Sequence, residues 1–144
     1  MLVTIDTNVL YQALMSTSGA SHYILQKLRS HEIQLAISVP VFTEYQDVLM
    51  REKSRRDFNL SKTDIEKFLR FIAFVGKPFK TYFLFRPNLK DESDNMLVEL
   101  AVTSQSDYLI TSNVKDFSNA ELIFDALKII TPAEFVQLWR KHHG

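Results

Sequence analysis

Short apolar runs alternate along this chain with longer segments whose apolar residues recur at helical spacing. The runs typical of strands cover residues 2–6, 34–38, 107–111 and 127–130, and residues 79–85 mix aromatic side chains with a lysine as an irregular strand can. Strands that alternate with helices form parallel sheets covered on both faces. We therefore expect a single α/β domain over residues 1–144, a three-layer α/β/α sandwich around a short, mainly parallel sheet.

A predicted hairpin of two helices is inserted in the middle of the chain, where most of the basic charge lies. Pro40 suits the first turn of one helix, and residues 61–64 resemble a capping box that opens the second, which should end near residues 76–78. The net charge is zero, yet residues 51–90 hold eleven bases and four acids, and residues 91–144 hold four bases and nine acids. This distribution suits a protein that binds a polyanion beside a cation, although a solvated lysine-rich helix face has the same pattern.

Two further helices are predicted in the second half of the chain. Ser93 or Asp94 should begin the first of them, which leads into the strand at residues 107–111. Residues 131–134 combine a threonine cap, a proline and a glutamate, and predict a last helix that runs to about Lys141.

The composition excludes several classes of function. The chain has no cysteine, so it has no disulfide, thiolate zinc site or cysteine nucleophile, and its four histidines form no HExxH motif. Its three glycines are too dispersed for a glycine-rich nucleotide-binding loop. We find no run long and apolar enough for a membrane span and no leader pattern, and expect a cytoplasmic protein with no membrane partner.

Acidic residues follow the predicted strands at one edge of the sheet. They are Asp6 after the first strand, Glu44 early in the next helix, Asp94 at a helix start, with Asp91 beside it, and Asp116 after the strand at 107–111. Because ligand sites in open parallel sheets lie beyond the carboxyl ends of the strands, we expect these groups to converge. Clustered carboxylates repel one another unless a cation neutralises them, and all-oxygen ligation favours Mg²⁺ or Mn²⁺.

Each of these acids also has a purely structural explanation. Asp6 can be a helix cap, Asp94 a first-turn acid facing the helix dipole, and Asp116 a turn residue. Glu44 can simply be an exposed surface residue.

Three sequence blocks resemble the PIN-domain nucleases, and within them the VapC-like toxins of bacterial toxin–antitoxin pairs. The blocks are residues 6–10 (DTNVL), 38–49 (SVPVFTEYQDVL) and 91–117 (DESDNMLVELAVTSQSDYLITSNVKDF), in the family's order. The resemblance implies that Asp6, Glu44 and Asp94 coordinate Mg²⁺ or Mn²⁺. It also implies RNA cleavage by metal-activated water that leaves a 5′-phosphate. The expected protein partner is a cognate antitoxin, and a homodimer is a further possibility.

The fourth acidic position departs from the family pattern. Many members have an aspartate two residues after the threonine that ends the fourth strand, where this chain has Asn113. We expect Asp116 to supply the missing charge as a catalytic and metal-binding residue, supported by Asn8, Asp91, Thr111 and Asn113. This departure leaves open whether the site binds one metal ion or two.

Three functions remain as alternatives at this point. The first is the metal-dependent endoribonuclease toxin, in which Arg51, Lys53, Arg55 and Arg56 are predicted to bind RNA phosphates. The second, prompted by Asn113, is a catalytically weak or inactive PIN-like RNA-binding module. The third is a structural domain that binds a partner protein through the aromatic residues Phe79, Tyr82, Phe83 and Phe85, which are more typical of a core.

Overall fold

The computed structural model describes residues 1–81 and 89–143, apart from the side chains of residues 122 and 123. Its strands are β1 (Leu2–Ile5), β2 (Gln34–Ile37), β3 (Gly76–Pro78), β4 (Tyr108–Ile110) and β5 (Ile129–Ile130). Its helices are α1 (Thr7–Met15), α2 (Ala20–Arg29), α3 (Val39–Leu49), α4 (Glu52–Phe58), α5 (Lys62–Val75), α6 (Glu92–Ser104), α7 (Ser118–Ile123) and α8 (Pro132–His143). A short 3₁₀ helix, Val114–Phe117, precedes α7. None of the helices in these ranges has the length and apolar character needed to cross a membrane.

The five strands form one parallel sheet in the order β3-β2-β1-β4-β5. Side chains alternate between the two faces of a strand, and Val3, Thr4 and Ile5 are all 0% exposed, so both faces of β1 are covered. Helix α6 packs on β1, β2 and β4 and against α3, which also contacts α5, while α2 packs against both α1 and α8. The predicted α/β sandwich with a parallel sheet is confirmed.

Strand β3 lies earlier in the chain than predicted. The sequence suggested an irregular strand over residues 79–85, but β3 is Gly76–Pro78, where α5 was expected simply to end, and residues 79–81 lie outside any strand. A Cβ atom on Gly76 would lie 2.6 Å from Cδ1 of Ile37, so the close approach of β3 to β2 requires glycine. The rest of the predicted strand falls outside the described residues.

The basic hairpin contains an additional short helix. Between α3 and α5 the chain forms α4, which holds Lys53, Arg55 and Arg56 and was not predicted as a separate element. This helix has seven residues and only Ser54 and Phe58 are buried, so it has too few apolar positions for a recognisable helical period. Its left-handed C-cap, Asn59 at φ 55°, redirects the chain towards α5.

Capping residues define the helix starts closely. The predicted capping box is present at α5, where the backbone N–H of Asp64 donates to the Ser61 hydroxyl and that of Ser61 donates to the Asp64 carboxylate. At α8 the backbone N–H of Glu134 donates to Thr131 Oγ1 over 3.1 Å, and the helix runs on to His143. The prediction that Ser93 or Asp94 begins α6 is wrong by one or two residues, because Asp91 is the cap and accepts from the Ser93 N–H over 2.9 Å.

Candidate functional site

Five carboxylates line one cavity of about 360 Å³ at the carboxyl edge of the sheet. They belong to Asp6, Glu44, Asp91, Asp94 and Asp116, and Asn8 and Asn113 line the same cavity. No lysine, arginine or histidine of the described ranges takes part in the lining. All of the predicted acidic residues therefore line the same cavity, and its charged lining residues are all negative.

Asp6 lies where β1 ends, between the central strand and α1. It occupies the N-cap position of α1, but its side chain makes no capping hydrogen bond. Its Oδ2 instead accepts from the Thr111 hydroxyl over 2.7 Å and from the Asn8 amide over 3.3 Å. Burial raises the pKa of Asp6, and the Thr111 hydrogen bond opposes that rise. Capping alone therefore does not account for Asp6, because its carboxylate also binds the side chains of Thr111 and Asn8.

Thr111 joins the turn after β4 to the end of β1. Its hydroxyl donates to Asp6 and accepts from the backbone N–H of Asn113 over 3.1 Å. A longer contact of 3.4 Å runs from the Ser112 N–H to the side-chain oxygen of Asn8. These bonds set the position of Asn113 relative to Asp6, and the 3₁₀ helix that follows brings Asp116 to the same cavity.

Glu44 is positioned by the residue that follows it. The fully buried Tyr45 hydroxyl donates to the carbonyl oxygen of Ile5, the last residue of β1. This bond holds the middle of α3 against the end of the central strand, so that Glu44 reaches the cavity. Burial raises the pKa of Tyr45, which keeps its proton on the hydroxyl. The sequence indicated Tyr45 only as part of an apolar helix face.

Asn95 was missed by the sequence analysis, although it organises the loop that carries Asp91. It is 5% exposed, its Oδ1 accepts from the Leu89 N–H over 2.9 Å, and its Nδ2 donates to the Leu89 carbonyl over 3.3 Å. An Asn two residues from a predicted helix start could have been noted as a loop clamp. By fixing the loop before α6, it sets the first turn from which Asp94 enters the cavity.

Mutual repulsion of the acids is largest at Asp94. Burial raises the pKa of this carboxyl to about 7, with further contributions from the charges of Asp6, Asp91, Asp116 and Glu44, in that order. Four other carboxylates are therefore close enough to Asp94 to disfavour its charged form. A perturbed carboxyl in a cavity marks a candidate functional site.

The raised pKa of Asp94 predicts a pH-dependent loss of stability in metal-free protein. Between about pH 4 and about pH 7, the folded protein holds a proton on Asp94 that the unfolded chain has released, so this group contributes less stability as the pH rises. We expect the Tm of Asp94→Asn to rise relative to that of the wild type as the pH increases across this range. Thermal unfolding from pH 4 to 8 in EDTA measures the difference, and parallel Tm profiles would contradict the assignment.

The carboxylates line the same cavity without being gathered around one point. Among residues 1–81 and 89–143, no three acidic or histidine side chains are arranged so that they could hold a metal ion as they stand. Side-chain rotation would be needed to bring them together. The structure therefore identifies a shared acidic cavity, and the choice of ligands remains a prediction.

A second, larger cavity of about 740 Å³ lies at the opposite edge of the sheet. Its lining includes Met1, Asp107 and Lys128, which precede β1, β4 and β5. One carboxylate oxygen of Asp107 already accepts from the Leu2 N–H over 2.9 Å. Its charged lining residues are two aspartates and one lysine, and no group of carboxylates comparable to the five of the smaller cavity is among them, so the smaller acidic cavity is the better candidate site.

The four predicted RNA-binding residues lie on or just before α4 and do not line the cavity. Three of them have local acidic partners: Arg51 with Asp47 at 3.1 Å, Lys53 with Asp57 at 2.7 Å, and Arg56 with Glu52 at 3.7 Å. The Arg55 Nε–H donates to the Met50 carbonyl over 3.2 Å. The Arg51–Asp47 and Arg56–Glu52 pairs join side chains that are all at least 60% exposed, and exposed ion pairs of this kind are weak and leave their cations able to exchange partners.

The structure describes one of the four predicted partner-binding aromatic residues, Phe79. Phe79 is partly buried and packs against the core, and the Lys77 ammonium lies 5.7 Å from its ring centroid. Tyr82, Phe83 and Phe85 lie outside the described residues. A partner surface at this group stays a prediction.

Comparison with known proteins defines the family. The PIN domain family model matches residues 2–115, which include Asp6, Glu44, Asp94 and Asn113 but end one residue before Asp116. The chain therefore belongs to the PIN domain family, whose members are generally nucleases. No curated protein sequence matches it significantly.

A solved structure has the same fold. It is the crystal structure of VapBC2 from Rickettsia felis bound to a DNA fragment from their promoter, which superimposes with a TM-score of 0.57. The alignment covers 91% of this chain and 98% of that chain at 19% identity. At this identity the similarity establishes the fold, and the chemistry has to be argued from the acidic cavity itself.

Proposed function

We propose that this protein is a Mg²⁺- or Mn²⁺-dependent endoribonuclease that acts as the toxin of a toxin–antitoxin pair. The observation that carries the proposal is the convergence of five carboxylates on one cavity in a PIN domain, with the pKa of Asp94 raised to about 7. A cavity of this charge is costly for metal-free protein, and a bound divalent cation would remove that cost.

The donor chemistry of the cavity fits such a cation. All of its candidate ligands are oxygens, which Mg²⁺ and Mn²⁺ prefer, and neither histidine nor cysteine is present to favour zinc. We assign Asp6, Glu44 and Asp94 as metal ligands, and Asp116 as a fourth group acting directly or through water. When bound, the ion would activate water and offset negative charge on the phosphodiester.

The surrounding residues keep the cavity ready for that chemistry. The Thr111 and Asn8 side chains both donate to Asp6, which fixes its carboxylate and favours the charged form. Asn113 offers an amide that can orient a water or a phosphate oxygen. Tyr45 and Asn95 act only as supports, because their polar atoms are committed to Ile5 and to the loop before α6.

RNA and an antitoxin are the proposed partners. The basic residues on and beside α4, namely Arg51, Lys53, Arg55 and Arg56, provide cations for the phosphates. The similar Rickettsia felis structure is of VapBC2 on promoter DNA, and we propose by analogy that this chain also pairs with an antitoxin. We further propose that it acts in the cytoplasm and can form a homodimer.

Incubation of the purified protein with end-labelled single-stranded RNA tests the activity. We expect cleavage in Mn²⁺ or Mg²⁺ that EDTA abolishes, because the acidic cavity requires a cation before it can accept a phosphodiester. Mapping the products with a phosphatase should detect 5′-phosphates.

The alternative function is an RNA-binding PIN domain with little or no turnover. Two observations favour it. Asn113 lines the cavity at a position where many PIN-domain nucleases have an aspartate. In the described ranges, no three acidic side chains are arranged so that they could hold a metal ion. RNA binding without cleavage in any divalent cation would support this alternative. Absence of RNA affinity even at low salt would reject both functions.

A further inference from the structure

Tyr11 connects the acidic cavity to the basic helix α4. Its side chain lines the cavity, and its ring packs edge-on against Phe58 with the centroids 4.6 Å apart. Its hydroxyl donates to the carboxylate of Asp57. Helix α4 is therefore fixed to the cavity wall by one apolar and one polar contact, both made by the same residue.

Asp57 extends this connection to Lys53. The Lys53 ammonium donates to the same carboxylate oxygen of Asp57 over 2.7 Å. The Asp57 side chain is 30% exposed and that of Lys53 is 76% exposed, so the carboxylate is partly covered while the lysine side chain is open to solvent. The hydrogen bonds from Lys53 and Tyr11 lower the pKa of Asp57, so the carboxylate stays charged and keeps both donors.

The other basic residues near α4 have no such connection. Arg51 and Arg56 pair with Asp47 and Glu52, whose side chains are 65% and 78% exposed. Neither of these two carboxylates lines the acidic cavity. Among the four predicted RNA-binding residues, Lys53 is therefore the one linked by hydrogen bonds to the cavity wall.

We infer that Tyr11 and Asp57 are positioning residues that hold the Lys53 ammonium at the rim of the acidic cavity, where it binds a phosphate of single-stranded RNA. The inference rests on the proposed function and names one residue that contacts the substrate. A cavity lined by five carboxylates repels a polyanion, and a fixed cation beside it offsets that repulsion. An ammonium has three N–H donors, of which Asp57 takes one, so a phosphate can bind while the Lys53–Asp57 contact persists.

Fluorescence anisotropy with a labelled single-stranded RNA in EDTA tests the binding role of Lys53 without requiring cleavage. We expect Lys53→Gln to weaken binding about 5-fold at low salt and to reduce the log–log salt slope by about 0.7, the value for one lost phosphate contact. Lys67→Gln is the matched control, because it removes the same charge from an exposed position on helix α5. Equal effects of the two substitutions, or no binding by the wild type, would overturn the inference.

Tyr11→Phe tests the positioning role, because it removes the hydroxyl and keeps the ring on Phe58. We expect KM for RNA to rise about 3-fold with kcat within about 2-fold of wild type. In a Lys53→Gln background the same substitution should have no further effect, since the two residues act through one contact. Additive effects of the two substitutions, or a lower Tm with unchanged KM and Kd, would show that Tyr11 stabilises the fold and does not position Lys53.

The two proposals fail in different ways. If the wild type cleaves RNA but Lys53→Gln binds and cleaves like Lys67→Gln, the positioning inference is wrong and the nuclease assignment stands. If the wild type cleaves nothing in any divalent cation while Lys53→Gln still shows the specific loss of affinity, the nuclease assignment fails and Lys53 remains an RNA contact.

Discussion

Asp6→Asn should reduce RNA cleavage by at least about 100-fold and leave the fold intact. Loss of a group that merely orients a metal ligand typically costs about 10–100-fold, and removal of a ligand should cost no less. Asparagine has nearly the shape of aspartate, and its amide oxygen can still accept from Thr111, so the bond between the β1 and β4 ends is retained. Because Asp6 is the largest charge contribution to the raised pKa of Asp94, the Tm of the metal-free variant should stay equal or rise.

Asp125→Asn is the control for this experiment. It makes the same change in charge at an exposed residue that lines the larger cavity on the opposite edge of the sheet. We expect it to cleave RNA like the wild type. Circular dichroism and Tm establish that both variants are folded. Wild-type cleavage by a folded Asp6→Asn protein would remove Asp6 from the catalytic group.

Asp116→Asn should weaken Mn²⁺ binding and RNA cleavage together, while Asn113→Asp should tighten Mn²⁺ binding. Both residues line the acidic cavity, but only Asp116 carries a charge, and a carboxylate is a stronger ligand for a hard cation than an amide. In the Asn113→Asp variant the backbone N–H of residue 113 can still donate to Thr111, so the new carboxylate should occupy the position of the amide. We expect changes of about 10-fold in Kd in opposite directions.

Calorimetric titration with Mn²⁺ measures both affinity and stoichiometry. If a second ion binds only to the Asn113→Asp variant, the asparagine at this position limits the wild-type site to one metal ion. Should Asp116→Asn bind Mn²⁺ like the wild type, Asp116 would be an ordinary turn residue, and the site would consist of Asp6, Glu44 and Asp94. The same titration on Asp125→Asn controls for the loss of one negative charge.

The acidic cavity could be predicted from the sequence because strand direction determines which ends meet. Once β1 and β4 are recognised as parallel neighbours, Asp6 and the residues after Thr111 must lie at the same edge, whatever the loops between them do. Glu44 followed from the same argument applied to β2 and α3. These side chains lie at the same edge because the sheet is parallel, which the alternation of strand-like and helical segments in the sequence predicts.

Elements with few buried residues could not be predicted in this way. Helix α4 buries only Ser54 and Phe58, and β3 is three residues long with two of them exposed, so neither has a hydrophobic period. Their positions depend on tertiary contacts, such as Gly76 against Ile37 and Tyr11 against Phe58. Sequence spacing contains no signal for contacts between distant residues of this kind.

The supporting hydrogen bonds were also beyond the sequence analysis. Tyr45 has the spacing of a core residue, and only its hydroxyl distinguishes it from phenylalanine in that role. Its acceptor is a backbone carbonyl forty residues away, which no local pattern indicates. The same holds for the Asp57 carboxylate, whose i,i+4 partner Lys53 is evident in the sequence and whose bond to Tyr11 is not.

The pairing of β1 with β4 determines when the acidic cavity can form during synthesis of the chain. Asp6 is synthesised well before its hydrogen-bond donor Thr111, which lies 105 residues later in the chain, and Asp116 follows after that. A nascent chain that has emerged only as far as β3 has β1, β2 and β3 but lacks β4, the strand on the other side of β1. The acidic cavity can therefore gather its full set of carboxylates only after the chain has been translated as far as Asp116.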